Sequence, residues 1–176
     1  PTNLMMFGTP TKLLDGGKVE EEFKQFLETG YARRLLFGYT VDTHRTKYAS
    51  AQERYQQMVD ANLAKDMVSI QQTFTNFAKR PFNPILEMSK ENSIYLVKYQ
   101  MQCEAAADDF KDHMALHKAE MCHRHYKGLK LAGAYAFADN SPDVTQDHLN
   151  YAISVVEDSG EAFHTLMRKQ GPYERL

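Results

Sequence analysis

Arg33 and Arg34 stand side by side in the stretch Gly30-Tyr31-Ala32-Arg33-Arg34-Leu35-Leu36-Phe37, where an amphipathic helical pattern gives way to an apolar run. Two guanidinium groups fixed at such a junction suit one of two tasks. They can complement the negative end of a helix dipole. They can also be aimed, as an arginine finger, at the γ-phosphate bound by a neighbouring subunit, where neutralising the transition state is worth ~10³–10⁵ in rate. A purely structural protein gains little from the pair; a nucleotide-handling one gains a great deal.

A second group of reactive side chains lies further on. His113 and His117 are spaced i, i+4 on one helical face, with Glu120 a turn later and Cys122, His123 and His125 nearby. That spacing can hold zinc. Glu120-x-x-His123 and Glu161-x-x-His164 also echo the paired motifs of di-iron bundles. The segment 127–138 between them offers no carboxylate to complete such a site, so the expectation is a polar helix face with no metal at His113, His117, Cys122 or His123. The basic residues Arg45, Lys47, Arg54, Lys79, Arg80, Lys127, Lys130, Arg168 and Lys169 are scattered and read as solvated surface.

Composition sets the frame for these groups. The chain has 176 residues, 43% hydrophobic and 25% charged, with ten Phe, ten Tyr and no Trp. This suits one domain or two small ones. A net charge of −2 excludes a surface that is wholly a polyanion-binding field. Only Cys103 and Cys122 occur, which fits a reduced, cytoplasmic compartment. No apolar run approaches the ~20 residues of a membrane span. The chain opens on Pro1 and enters an apolar run almost at once, which points to a fragment or processed product.

The elements that must position the arginines follow from the pattern. Leu4–Phe7 reads as a buried strand ended by Gly8-Thr9-Pro10, because proline cannot continue a ladder. Asp15-Gly16-Gly17 is turn chemistry. Val19, Phe23, Phe26 and Leu27 give a helix with Gly30 past its end. Leu35–Val41 reads as a second strand. Strand–helix–strand in so short a space is a parallel βαβ unit, and two such strands need neighbours that this chain does not supply.

His44–Tyr48 is a polar bridge. Ser50–Lys79 reads as one long helix, with Tyr55, Val59, Leu63, Met67, Ile70, Phe74 and Phe77 on one stripe, stopped by Arg80-Pro81-Phe82-Asn83-Pro84. Ser89 caps the next helix, whose stripe slips near Ala106–Asp109 and resumes as Phe110, Met114, His117 and Met121. Lys127–Ala138 is small and apolar, suited to close packing. A loop at 139–143 precedes a last helix capped by Thr145, and the tail from Gly171 reads as loose. The expected fold is mainly α. A short βαβ remnant of an α/β core (residues 1–44) would be followed by a helical lid or bundle (45–176).

Leu4-Met5-Met6-Phe7-Gly8-Thr9-Pro10 resembles the sensor-1 strand of ring-forming helicase ATPases of the AAA+ and phage or plasmid primase–helicase kind. The stretch Gly30–Phe37 resembles their G-x-x-x-R-[FL]-[LI]-[FV] segment, comparable to the Ser-Arg-Phe-Asp of minichromosome-maintenance helicases. Lys127-Gly128-Leu129-Lys130-Leu131-Ala132, followed by Val144-Thr145-x-x-His148-x-x-x-Ala152-Ile153, resembles the closing helices of their lid.

The resemblance implies that Arg34 is the finger, with Arg33 as its alternative. It implies that Thr9 occupies the sensor-1 position, although Asn is commoner there. It makes Arg124 the phosphate-sensing arginine of the lid, with Lys127 as runner-up. ATP, Mg²⁺, single- or double-stranded DNA and a homo-oligomeric ring are implied for the intact protein. This chain carries no G-x-x-x-x-G-K-[ST] and no apolar strand ending in an acidic pair, so it is not expected to turn over ATP alone. The readings set against this one are a non-catalytic helical module that binds a partner through the Tyr55–Phe77 helix, and a small metal-binding bundle.

Overall fold

The computed structural model describes residues 5–9, 13–40, 49–80 and 85–168. The polar bridge 44–48, the proline-rich stop at 81–84 and the tail from 171 lie outside the described residues. The chain is mainly helical, and among the described residues no strand or sheet forms. The short βαβ unit expected at the N-terminus is therefore not seen. Residues 5–9 and 35–40 have no regular secondary structure and no ladder, and Phe7, expected inside, is 92% exposed. Extended backbone becomes a strand only when a neighbour takes up its hydrogen bonds.

By its packing the chain divides into two units, residues 1–39 with 86–176, and residues 40–85. In the first unit α1 (Lys18–Phe26) runs into a wide turn over Leu27–Tyr31, where Gly30 takes φ 103°. This is the left-handed region that only glycine enters cheaply, so Gly30 ends the helix where its sequence position predicts.

The second unit holds α2 (Ala51–Met58) and α3 (Ala61–Ala78). The single helix expected over Ser50–Lys79 is thus two. Val59 leaves helical geometry, and the Asp60 carboxylate accepts from Asn62 N at 2.8 Å and caps a new start. A capping residue inside the apolar stripe outweighed the continuous periodicity.

In the first unit, Ser89 Oγ accepts from Asn92 N at 3.1 Å and caps α4 (Lys90–Asp108). The expected joint falls at Asp109, followed by one 3₁₀ turn (Asp112–Met114) and α5 (Ala115–Cys122). His123 separates α5 from α6 (Arg124–Ala138). Thr145 caps α7 (Gln146–Arg168) reciprocally with His148: the hydroxyl accepts from His148 N at 3.3 Å while His148 Nδ1 accepts from Thr145 N at 3.1 Å. Segment 86–88 is tied to the 141–144 loop, with Val144 N donating to Glu87 O at 2.8 Å.

Two apolar cores result. In one, Leu96, Tyr99 and Cys103 of α4 meet Ala132 and Ala136 of α6 and Leu149 and Ala152 of α7. The alanines let α6 and α7 approach closely. In the other, Leu27 and Ala32 pack on Phe163 and Met167, with Phe37 against them.

Candidate functional site

The two cores are joined by a layer of buried charge built mainly from α5, α6 and α7. Glu120, Arg124 and Lys127 are spaced i, i+4 and i+7, which brings all three to one face in spite of the break at His123. Glu120 is 0% exposed. Its Oε1 accepts from Lys127 Nζ at 2.9 Å, and its Oε2 accepts from Arg124 Nε at 3.0 Å. Arg124 Nη1 donates to Glu157 Oε2 at 2.7 Å, and the other Glu157 oxygen accepts from the Tyr99 hydroxyl. Two carboxylates balance two cations, and the half-exposed Glu157 is the only member facing solvent to any extent.

The electrostatics follow from burial. Burial works against charge on Arg124, but the hydrogen bond and charge of Glu120, then Glu157, outweigh it and hold the guanidinium above its ordinary value. Burial pushes Lys127 down, and Glu120 only partly offsets this. Burial and the bond to Glu157 push the Tyr99 phenol far up. Arg124 Nη2 lies 2.9 Å from Glu120 Oε2 but finds no aligned acceptor among the described residues.

From this layer two hydrogen bonds reach the arginine turn. Lys127 Nζ donates to Ala32 O at 3.2 Å, and Ser159 Oγ accepts from Phe37 N at 2.7 Å. Between these points Arg34 N and Leu35 N both donate to Tyr31 O at 2.9 Å. The Phe37 ring lies 4.8 Å from Phe163, with Lys127 Nζ 5.6 Å from its centroid. Ala32 is buried while Arg33 and Arg34 are exposed. Arg33 lies over Gly30, where an added Cβ would meet its guanidinium at 3.0–3.3 Å. Among the described residues no carboxylate pairs with either arginine. The result is a pair of solvent-facing cations on a main chain fixed from inside.

The sequence-derived site residues thus separate. Lys127 is drawn to the arginine turn, and Arg124 is its neighbour in the charge layer, turned toward Glu120 and Glu157. Thr9 is exposed on segment 5–9, its carbonyl accepting from Leu13 N at 3.1 Å. Glu120, Glu157 and Ser159 were not singled out as partners of these cations. The Glu120/Arg124/Lys127 spacing was a readable signal, but nothing local marks Glu157 or Ser159.

The histidines disperse. His123 and His125 donate through Nδ1 to Ala119 O and Cys122 O, each at 3.1 Å. His117 stacks on His164 with centroids 4.9 Å apart, beside Phe110 and Phe163. The rings of Phe110, His117 and His164 border a cleft of about 420 Å³ that also touches Met114 and Arg168. Among the described residues no three His, Cys, Asp or Glu side chains converge as a metal site, and no helix is long and apolar enough to cross a membrane. Comparison with protein-family models, with curated proteins and with solved structures finds no match for this chain.

Proposed function

We propose that this chain is the C-terminal part of a DNA-replication helicase or primase–helicase ATPase, of the kind found in phages, and that it supplies Arg34 to the nucleotide of a neighbouring subunit in a ring. The observation that carries the reading is the arginine turn: exposed guanidinium groups on a backbone tied at Ala32 and Phe37 to buried polar side chains. In such a ring, residues 1–44 would be the end of the ATPase core. Segments 5–9 and 35–40 would gain strand partners from the rest of that core, and the helices would form the lid. ATP and Mg²⁺ would be held by parts of the intact protein outside this chain. Arg34 would neutralise charge as the γ-phosphoryl group departs.

The test is made in the intact protein. An arginine serving only the helix dipole is worth roughly 0.3–1 kcal/mol of stability. A finger is nearly silent for folding and costs several kcal/mol in the transition state. Arg34→Ala should therefore leave the Tm nearly unchanged and lower ATP turnover by ~10³-fold or more, to a small residue. Mixing it with subunits dead in their own nucleotide loop should restore part of the activity, because some interfaces then pair an intact loop with an intact arginine. Near wild-type turnover by Arg34→Ala would transfer the role to Arg33 or end the reading.

A second reading rests on the helix pair α2–α3. Tyr55, Met58, Met67 and Phe74 are all more than half exposed there, as suits a non-catalytic module that binds a partner through an apolar face. Such a module would be indifferent to Arg34→Ala and would lose its partner on Phe74→Asp.

A further inference from the structure

We propose that Lys127 and Ser159 are positioning residues that clamp the arginine turn at both ends, so that Arg34 presents its guanidinium along one direction. The inference rests on the reading of Arg34 as a trans-acting finger.

Two buried side chains reach the turn from α6 and α7. Lys127 already has a counter-charge in Glu120 at 2.9 Å, so its further bond to Ala32 O is not required for neutrality. Ser159, 2% exposed, accepts the Phe37 amide proton across 122 positions of sequence. That bond satisfies a buried hydroxyl and is no part of the hydrogen-bond ladder of α7. What both bonds share is their target, the main chain immediately flanking Arg33–Leu36.

Buried Ala32 and the Phe37 ring, which packs against Phe163, add apolar contact at the same two points. A turn held only by its own Tyr31 hydrogen bonds could swing as a unit; anchoring both flanks removes that freedom. Misplacing a catalytic group by 1 Å can cost on the order of 10²-fold in rate, so a clamp of this kind is worth most to a side chain that must meet a ligand on another molecule. Because Lys127 lies on α6 and Ser159 on α7, the two helices that would form the lid also aim the arginine.

Ser159→Ala tests this with the smallest change, deleting one acceptor and no charge. In this chain, hydrogen exchange at the Phe37 amide should quicken about tenfold, the effect of one lost hydrogen bond, while exchange at Leu149 and Ala152 stays as it was. Unaltered Phe37 exchange would overturn the clamp.

In the intact protein the same variant should lower kcat for ATP by about tenfold or more, with KM moving less than about twofold. In an Arg34→Ala background, its effect on residual turnover should shrink to less than about twofold, because the two residues act through one group. Equal losses in both backgrounds would show that Ser159 does not act through Arg34 and would end the proposal. Lys127→Met is the companion variant. It removes the ammonium and keeps the length, and Ser159→Ala carries the test should that variant fail to fold. An Arg34→Ala protein of normal turnover refutes the assignment of the finger to Arg34, and Phe37 exchange alone then decides whether the clamp exists.

Discussion

Glu120 is the residue on which the charge layer depends. One carboxylate with no solvent exposure serves two buried cations. Removing one member of such a group costs about 3–5 kcal/mol, because the remaining charges stay buried without compensation. The nearby imidazoles behave oppositely. Burial first, then the charge of its ring neighbour, holds His117 below the ordinary histidine value; burial first, then Arg124, does the same for His164. Between those lowered values and the ordinary 6.5 the unfolded chain binds more protons than the folded one. Stability therefore rises with pH through that window and is lost as pH falls through it. The Tm should hold steady above pH ~7 and decline below 6.5, ahead of the carboxylate range. His164→Phe keeps a ring in the stack and removes a titrating group, so its decline should be shallower in thermal unfolding across pH 5–7; an unchanged slope would mean that acid acts elsewhere.

At the scale of elements, the contact between α6 and α7 is decided by glycine and alanine. A glycine inside a helix ordinarily costs ~1 kcal/mol against alanine, so Gly160→Ala in α7 would be expected to stabilise. The packing reverses that sign. A Cβ at position 160 would fall on the Arg124 guanidinium, which is pinned by Glu120 and Glu157 and cannot swing away without leaving them. Gly160→Ala should therefore destabilise by about 1–3 kcal/mol, the cost of overpacking, measurable by urea denaturation. A rise in stability would show that Arg124 moves freely. The stripe of α6 was legible, with Ala132 and Ala136 at 0% exposure as its small residues require. The role of Gly160 was not, because its reason is a side chain 36 positions away.

For the whole molecule, the N-terminal segment is not an appendage. Leu27 and Ala32 complete a core with Phe163 and Met167 of the last helix, and Lys127 spends a hydrogen bond on Ala32. Cutting the chain at 44/45, the boundary expected from the strand–helix–strand pattern, would expose Phe163 and Met167 at about 1.5–3 kcal/mol each. A chain of residues 45–176 should melt well below the full chain in calorimetry and bind a dye for exposed apolar surface. Equal melting would show that the two parts fold independently.

Some of this architecture is fixed by neighbours along the chain, and there the sequence sufficed. It determined the mainly helical class, the cap at Ser89, a joint near Ala106–Asp109, the cap at Thr145 and the left-handed glycine at 30, since capping, periodicity and backbone sterics act within a few residues. It misled over Ser50–Lys79, where a local cap at Asp60 cut a continuous stripe. The short βαβ unit is not seen among the described residues, because an apolar run marks a segment able to pair but does not supply the pair. Only the tertiary structure decided that Glu120 faces inward to two cations, that Glu157 closes the balance, and that Lys127 and Ser159 reach the turn bearing Arg33 and Arg34. The contacts of Arg124 with Glu157, Lys127 with Ala32 and Ser159 with Phe37 join residues 33 to 122 positions apart, and the energy of the whole layer comes from burial, which no local stretch of sequence experiences until the chain has closed around it.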